Sequence, residues 1–206
     1  MTAPLTPLLL DTFPAPGPML DFALFQLHTA ATGSPAERQA VGDPETLPRP
    51  WLPETCTDPR LRRALWDWLD QVATWINRQY TWDTTDLIPA CWPQHPHLIR
   101  ELAVIADQYR RAAAALDSTP LEEWHRYTLP MFTDRMRGRC RQHCDSGHKP
   151  TPGAGRQHRH QTSDAPAREH AYQHDVAALH EKPATATPRL MLVDTSTGVI
   201  TERSDR

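Results

Sequence analysis

Cys140, Cys144 and His148 recur at four-residue steps, with His143 between them, and thiolate and imidazole are donors that zinc takes. Zinc wants four such donors in a tetrahedron, whereas positions i and i+8 of a continuous helix lie about 12 Å apart along its axis. One ion could serve all three residues only if Asp145-Ser146-Gly147 turned the chain back. Zinc fingers pair a cluster of this kind with a second, distant one, and no CxxC-like second pair is present. The expectation is therefore no metal and no cofactor. Cys140 reads as a small core residue, and Cys144 and the histidines as solvated tail.

Cys91, His95 and His125 suggest different chemistry, a thiolate nucleophile with an imidazole base. Such a pair needs the base within hydrogen-bond reach and a third group to orient it. No Gly-rich turn that could hold an oxyanion accompanies them. His95 is expected to cap a helix or bond across its loop, and His125 to close a buried polar contact beside Trp124. No catalytic residue is assigned, and the chain reads as non-enzymatic.

Arg135, Arg137, Arg139 and Arg141 alternate, and Lys149, Arg156 and Arg159 continue the basic run against Asp145 alone. A helix would spread the first four around its circumference, and a strand would put them on one side. Either could neutralise phosphates with salt-dependent, sequence-independent affinity. The alternative is a solvated helix end, where cations favour the C-terminal dipole. No helix-turn-helix spacing or RNA-binding aromatic motif accompanies the run. His170 and His174, four apart, could share a metal on one helix face, but in so polar a segment they read as exposed titratable groups.

The elements that must carry these residues lie mainly in the middle of the chain. All seven tryptophans fall within residues 51 to 124, while the 21 prolines concentrate before residue 60 and after residue 145. Frequent proline and a low apolar fraction leave the ends little surface to bury against the entropy of ordering. The expectation is a disordered Pro-rich arm over 1–50, a Trp-rich helical domain over 51–145, and a mostly disordered His/Pro/Gly-rich tail over 146–206. Within the arm, Met19–Leu27 is unusually apolar: it either docks back on the domain or binds a partner.

Asp58-Pro59, an N-cap followed by Pro at N1, opens a helix to about Tyr80. Its apolar stripe is Leu61, Leu65, Trp68, Val72, Trp75 and Ile76. A second helix starts near His95-Pro96, with Leu98, Leu102, Ile105, Tyr109, Ala112 and Leu116 on its core face and Asp107 on its surface. A third opens on Thr119-Pro120-Leu121-Glu122, a capping box, and turns Leu121, Trp124, Thr128, Met131 and Phe132 inward; Pro130 should kink it. Residues 189–203 have the pattern of a β-hairpin, Leu190–Val193 and Val199–Thr201 about a turn with Gly198, which alone is marginal in water. The fold class is thus all-α: a small three-helix domain held by its tryptophans, with long disordered N- and C-terminal tails.

One stretch carries a resemblance. Ile88-Pro89-Ala90-Cys91-Trp92-Pro93-Gln94-His95-Pro96, then Leu98-Ile99-Arg100-Glu101-Leu102, then Trp124-His125 resembles a family of tryptophan-rich actinobacterial domains carried on plasmids and integrative or conjugative elements. It covers about residues 60–145, and Pro93 stands where members often have a second aromatic residue. The family brings no established activity, so the resemblance implies a context, a mobile-element accessory protein, and no chemistry.

Net charge is −3, the four cysteines would fit two disulfides but nothing else in the sequence reads as secreted, and no run approaches the roughly 18 apolar residues of a membrane span. The N-terminus lacks a basic leader ahead of Leu8-Leu9-Leu10. A cytoplasmic interaction or accessory protein with a protein partner is expected, with no membrane. The alternative is a non-specific nucleic-acid-binding protein using residues 135–160.

Overall fold

The computed structural model describes residues 9–140, 144, 147–151, 153, 156–181, 191–193 and 200–202. The chain is predominantly helical and divides into two units, Met1–Lys149 and Pro150–Arg206. Among the described residues the first unit has six α-helices, not the three expected.

Two of the three additional helices come from the arm, and the other arises because the expected third helix is split in two. Helix α1 (Pro18–Thr32) and helix α2 (Pro35–Val41) both place Pro in the first turn, and α2 has a capping box between Ser34 and Glu37. Proline thus starts helices here where it was expected to prevent them. Leu20, Ala23 and Leu24 bury one face of α1, and Leu47 and Pro50 are buried further along. Of the two readings of Met19–Leu27, the structure has the docked one. Its outer face, with Met19, Phe22 and Phe25, stays exposed.

Helix α3 (Pro59–Gln79) begins as its sequence dictates: the Asp58 carboxylate accepts from the Arg60 and Leu61 amides at 2.8 and 2.9 Å. Every residue of its expected stripe is buried. Helix α4 (Pro96–Ala113) buries Leu98, Leu102, Ile105 and Ala112, but it stops before Leu116, which is fully exposed. Asp107, expected on the surface, is buried, with its carboxylate 2.6 Å from the Arg110 guanidinium.

The capping box expected at Thr119 is not formed. Asp117 instead accepts from the Thr119 amide at 2.9 Å, and the short helix α5 (Thr119–Glu123) follows Ser118. The irregularity that Pro130 demands takes the form of a π-helical turn, Trp124–Thr128, immediately before helix α6 (Leu129–Cys140). That wide turn shifts the inward face. Leu129, Phe132 and Met136 are buried, and Met131 points outward.

Aromatic rings bind these pieces together. Phe13 meets Trp75 edge-on at 5.1 Å and lies 4.5 Å from Tyr109, which in turn meets Trp75 and Trp124 at 4.9 and 4.7 Å. A buried indole must place its N–H on an acceptor. Trp68 donates to the Pro14 carbonyl at 2.9 Å, Trp75 to the Asp11 carbonyl at 3.1 Å, and Trp124 to the Ile105 carbonyl at 3.1 Å. Two of those acceptors lie in the supposedly disordered arm. Not all the tryptophans contribute: Trp82 is exposed.

In the second unit, helix α7 (Gln157–Ser163) and helix α8 (Ala165–Glu181) precede strands β1 (Met191–Val193) and β2 (Ile200–Glu202), which pair antiparallel with Val193 opposite Ile200. The turn expected at Gly198 lies outside the described residues. No helix among the described residues is long and apolar enough to cross a membrane.

Two measurements test this packing. Leu20→Ala is expected to cost about 2–5 kcal/mol in denaturant unfolding, as for other buried leucines; a free arm would leave the midpoint unchanged. Burial, with Tyr109 as neighbour, pushes the Tyr80 phenol up to about 12. Its folded-state value is raised, so its stabilising contribution is complete below pH 10 and disappears as pH climbs through 12. Absorbance titration should show one of the four tyrosines ionising last, near that value.

Candidate metal centre

The loop between α3 and α4 is fixed by one side chain. The Asn77 amide donates to the Ile88 carbonyl at 3.1 Å and accepts from the Ile88 amide at 2.8 Å, replacing the pairing a strand would supply. Ile88 and Trp92 then bury themselves in the core. A 3-10 turn at Trp92–Gln94 closes with the His95 amide on the Trp92 carbonyl at 3.1 Å. This turn brings Cys91 and His95 side by side, Sγ to Nε2 3.4 Å.

The second half of the site, Cys144 and His148, lies in the chain beyond α6. The Cys144 amide reaches the Cys140 carbonyl at 3.3 Å. Gly147 then donates to the Cys144 carbonyl at 3.1 Å with φ at 115°, a conformation that suits glycine and reverses the chain. The reversal carries His148 back, so that its Nδ1 stands 3.4 Å from His95 Nε2. Cys144 Sγ is also 3.4 Å from that same nitrogen.

Ion pairs hold the two halves together. Glu101 of α4 accepts from Arg135 at 2.7 Å and from Arg139 at 2.9 Å, both on α6. Arg137 pairs with Asp86 of the loop, its Nε donating at 2.9 Å. Three of the arginines expected to reach phosphates are thus engaged within the protein, Arg135 and Arg139 on one side of α6 and Arg137 on another. Arg141 lies outside the described residues. Lys149, Arg156 and Arg159 are exposed, the last two in the second unit.

The donor atoms of Cys91, His95, Cys144 and His148 all lie within 4.8 Å of one another. Ligands about 2.0–2.3 Å from a tetrahedral ion stand roughly 3.3–3.8 Å apart. The three 3.4 Å separations at His95 Nε2 fall in that range. Hydrogen bonding is a poor account of them, because one imidazole nitrogen carries either a single lone pair or a single N–H. His95 and Cys144 are buried, Cys91 is half-buried and His148 is exposed. Burial, and then the neighbouring Cys144, raise the Cys91 thiol above its ordinary range; burial likewise raises Cys140. A bound cation would reverse that preference, since metal-bound thiols are deprotonated.

The expectation of solvated tail is therefore corrected at Cys144, which is buried; His148 is exposed, but its ring stands against His95. Cys140 is a buried residue as expected; its Sγ faces His97 Nε2 at 3.8 Å, outside the four-donor group. His95 occupies the N-cap position of α4 but makes no side-chain capping bond, and it lies among thiols. His125 does bond across helices, to the Tyr80 hydroxyl at 3.1 Å, but on the exposed surface. His170 and His174 sit exposed on α8. The sequence pairs Cys91 with His95 as nucleophile and base, and what that reading missed is the two as metal ligands. The signal was present: Cys-x3-His occurs twice, at 91–95 and at 144–148.

Comparison with family models, with curated proteins and with solved structures gave no match to this chain.

Asn77→Ala removes both bonds that hold Ile88 and is expected to cost about 1–3 kcal/mol in urea unfolding. An unchanged midpoint would show that the loop is positioned by other means.

Proposed function

We propose that the first unit is a zinc-binding domain whose ion is structural, held by Cys91, His95, Cys144 and His148. The observation that carries this reading is the convergence of two thiols and a second imidazole on one buried nitrogen, His95 Nε2. Two thiolates and two imidazoles are a zinc donor set, and together they neutralise the ion's charge. Four protein ligands leave no position for substrate, which favours a structural over a catalytic ion. In this reading the metal joins the α3–α4 loop to the chain beyond α6.

The domain so closed is a non-enzymatic interaction protein, in keeping with an accessory role on a mobile element. The exposed face of α1, with Met19, Phe22 and Phe25, supports contact with a protein partner. Protein contact is preferred to nucleic-acid contact because Arg135, Arg137 and Arg139 already have carboxylate partners.

Protein purified under reducing conditions should carry zinc at one ion per chain by elemental analysis. Cobalt exchanged into the site should show the intense visible bands of a tetrahedral thiolate complex. Cys91→Ser and Cys144→Ser should each abolish stoichiometric binding, whereas Cys140→Ser should leave it intact. Chelation should lower the melting temperature, and binding should weaken as pH falls and the thiolates take up protons. A full-length chain with no zinc and no affinity for cobalt would end the proposal.

A further inference from the structure

The sulfur side of the centre is not closed off. A cavity of about 740 Å³ lies against it, lined by Cys91, Cys140 and Cys144 together with Thr84, Pro89 and Gly147. Thr84 and Gly147 are exposed at its edge, and Cys91 is itself half-buried, while the imidazole of His95 is turned into the protein. A structural zinc centre usually shelters its thiolates from solvent. Here a small molecule can reach them without unfolding the domain.

We infer that Cys91 is a modification site: its metal-bound thiolate is open to attack on small hydroperoxides entering this cavity, with Cys144 as the resolving thiolate. The inference rests on the zinc reading, because the ion is what holds both sulfurs as thiolates side by side. In the first step the Cys91 sulfur attacks the distal peroxide oxygen. The O–O bond breaks, a hydroxide or alkoxide leaves, and Cys91 becomes a sulfenic acid. Cys144, whose Sγ lies within 4.8 Å of Cys91 Sγ, then attacks that sulfur. An S–S bond forms, the S–O bond breaks, and a second hydroxide leaves. The two sulfurs supply two electrons, the peroxide accepts them, and solvent protons take up the released hydroxide. With both thiolates consumed, two imidazoles remain, too few to retain the ion. Cys140 lines the same cavity but lies outside the donor group, so its oxidation alone would leave the ion in place.

The test is to add hydrogen peroxide to the reduced, zinc-loaded full-length protein. Zinc release is followed with a chromophoric chelator, and cysteine products are mapped by peptide mass spectrometry. Release of the bound zinc in step with a Cys91–Cys144 disulfide is expected, in wild type and Cys140→Ser alike, with recovery after reduction and zinc addition. Zinc retained while the peroxide is consumed at Cys140 would overturn the inference and leave the structural ion standing. So would a disulfide that joins Cys140 in place of Cys91. If the reduced protein holds no zinc at the outset, it is the metal centre itself that fails.

Discussion

Burying an indole without stranding its N–H is the constraint on which the rest of this structure depends. Three tryptophans solve it with backbone carbonyls distant in sequence: Trp68 on Pro14, Trp75 on Asp11 and Trp124 on Ile105. Each bond fixes a segment as well as a side chain. The first two draw the N-terminal arm across α3, which lets Phe13 complete the row of rings and sets Leu20 and Ala23 against the core. The third ties the π-helical turn to α4 and so aims α6, whose last residue is Cys140.

The proposed metal centre depends on that scaffold at one remove. Its two halves are local structures, each a cysteine and a histidine four residues apart brought together by a tight turn. What brings the halves to each other is the packing of α6 on α4 and the ion pairs at Glu101 and Asp86. Arginines alternating along a helix point in several directions, and that is why they meet acids on two different elements. The same spacing that suggests a phosphate-binding run in sequence serves here as a clamp.

How much of this could be read from the residues follows from the range of the interactions involved. The start of α3 at Asp58-Pro59 and of α4 at His95-Pro96 are local events, and both were legible, as was the buried stripe of α3. Leu116 and Met131 continue helical patterns, but one helix stops early and the other is re-phased by a π turn, so both side chains end outside. The arm was misread because its prolines suggested disorder, while the carbonyls it offers to Trp68 and Trp75 leave no trace in composition. The centre was half legible. The need for a chain reversal at Asp145-Ser146-Gly147 was evident, and Gly147 meets it, but the distant partner was sought as CxxC and came as Cys-x3-His.

The separation of those two Cys-x3-His segments has an entropic consequence. An ion bridging Cys91 and Cys144 encloses the intervening chain, α4, α5 and α6 included, in a closed loop. By the relation used for disulfides, cross-linking a loop of that length removes about 4 kcal/mol of conformational freedom from the unfolded ensemble. For a domain of this size that is a substantial part of its margin of stability. Zinc supply in the cell would then govern how much of the chain is folded at all, and the protein's abundance would follow the metal.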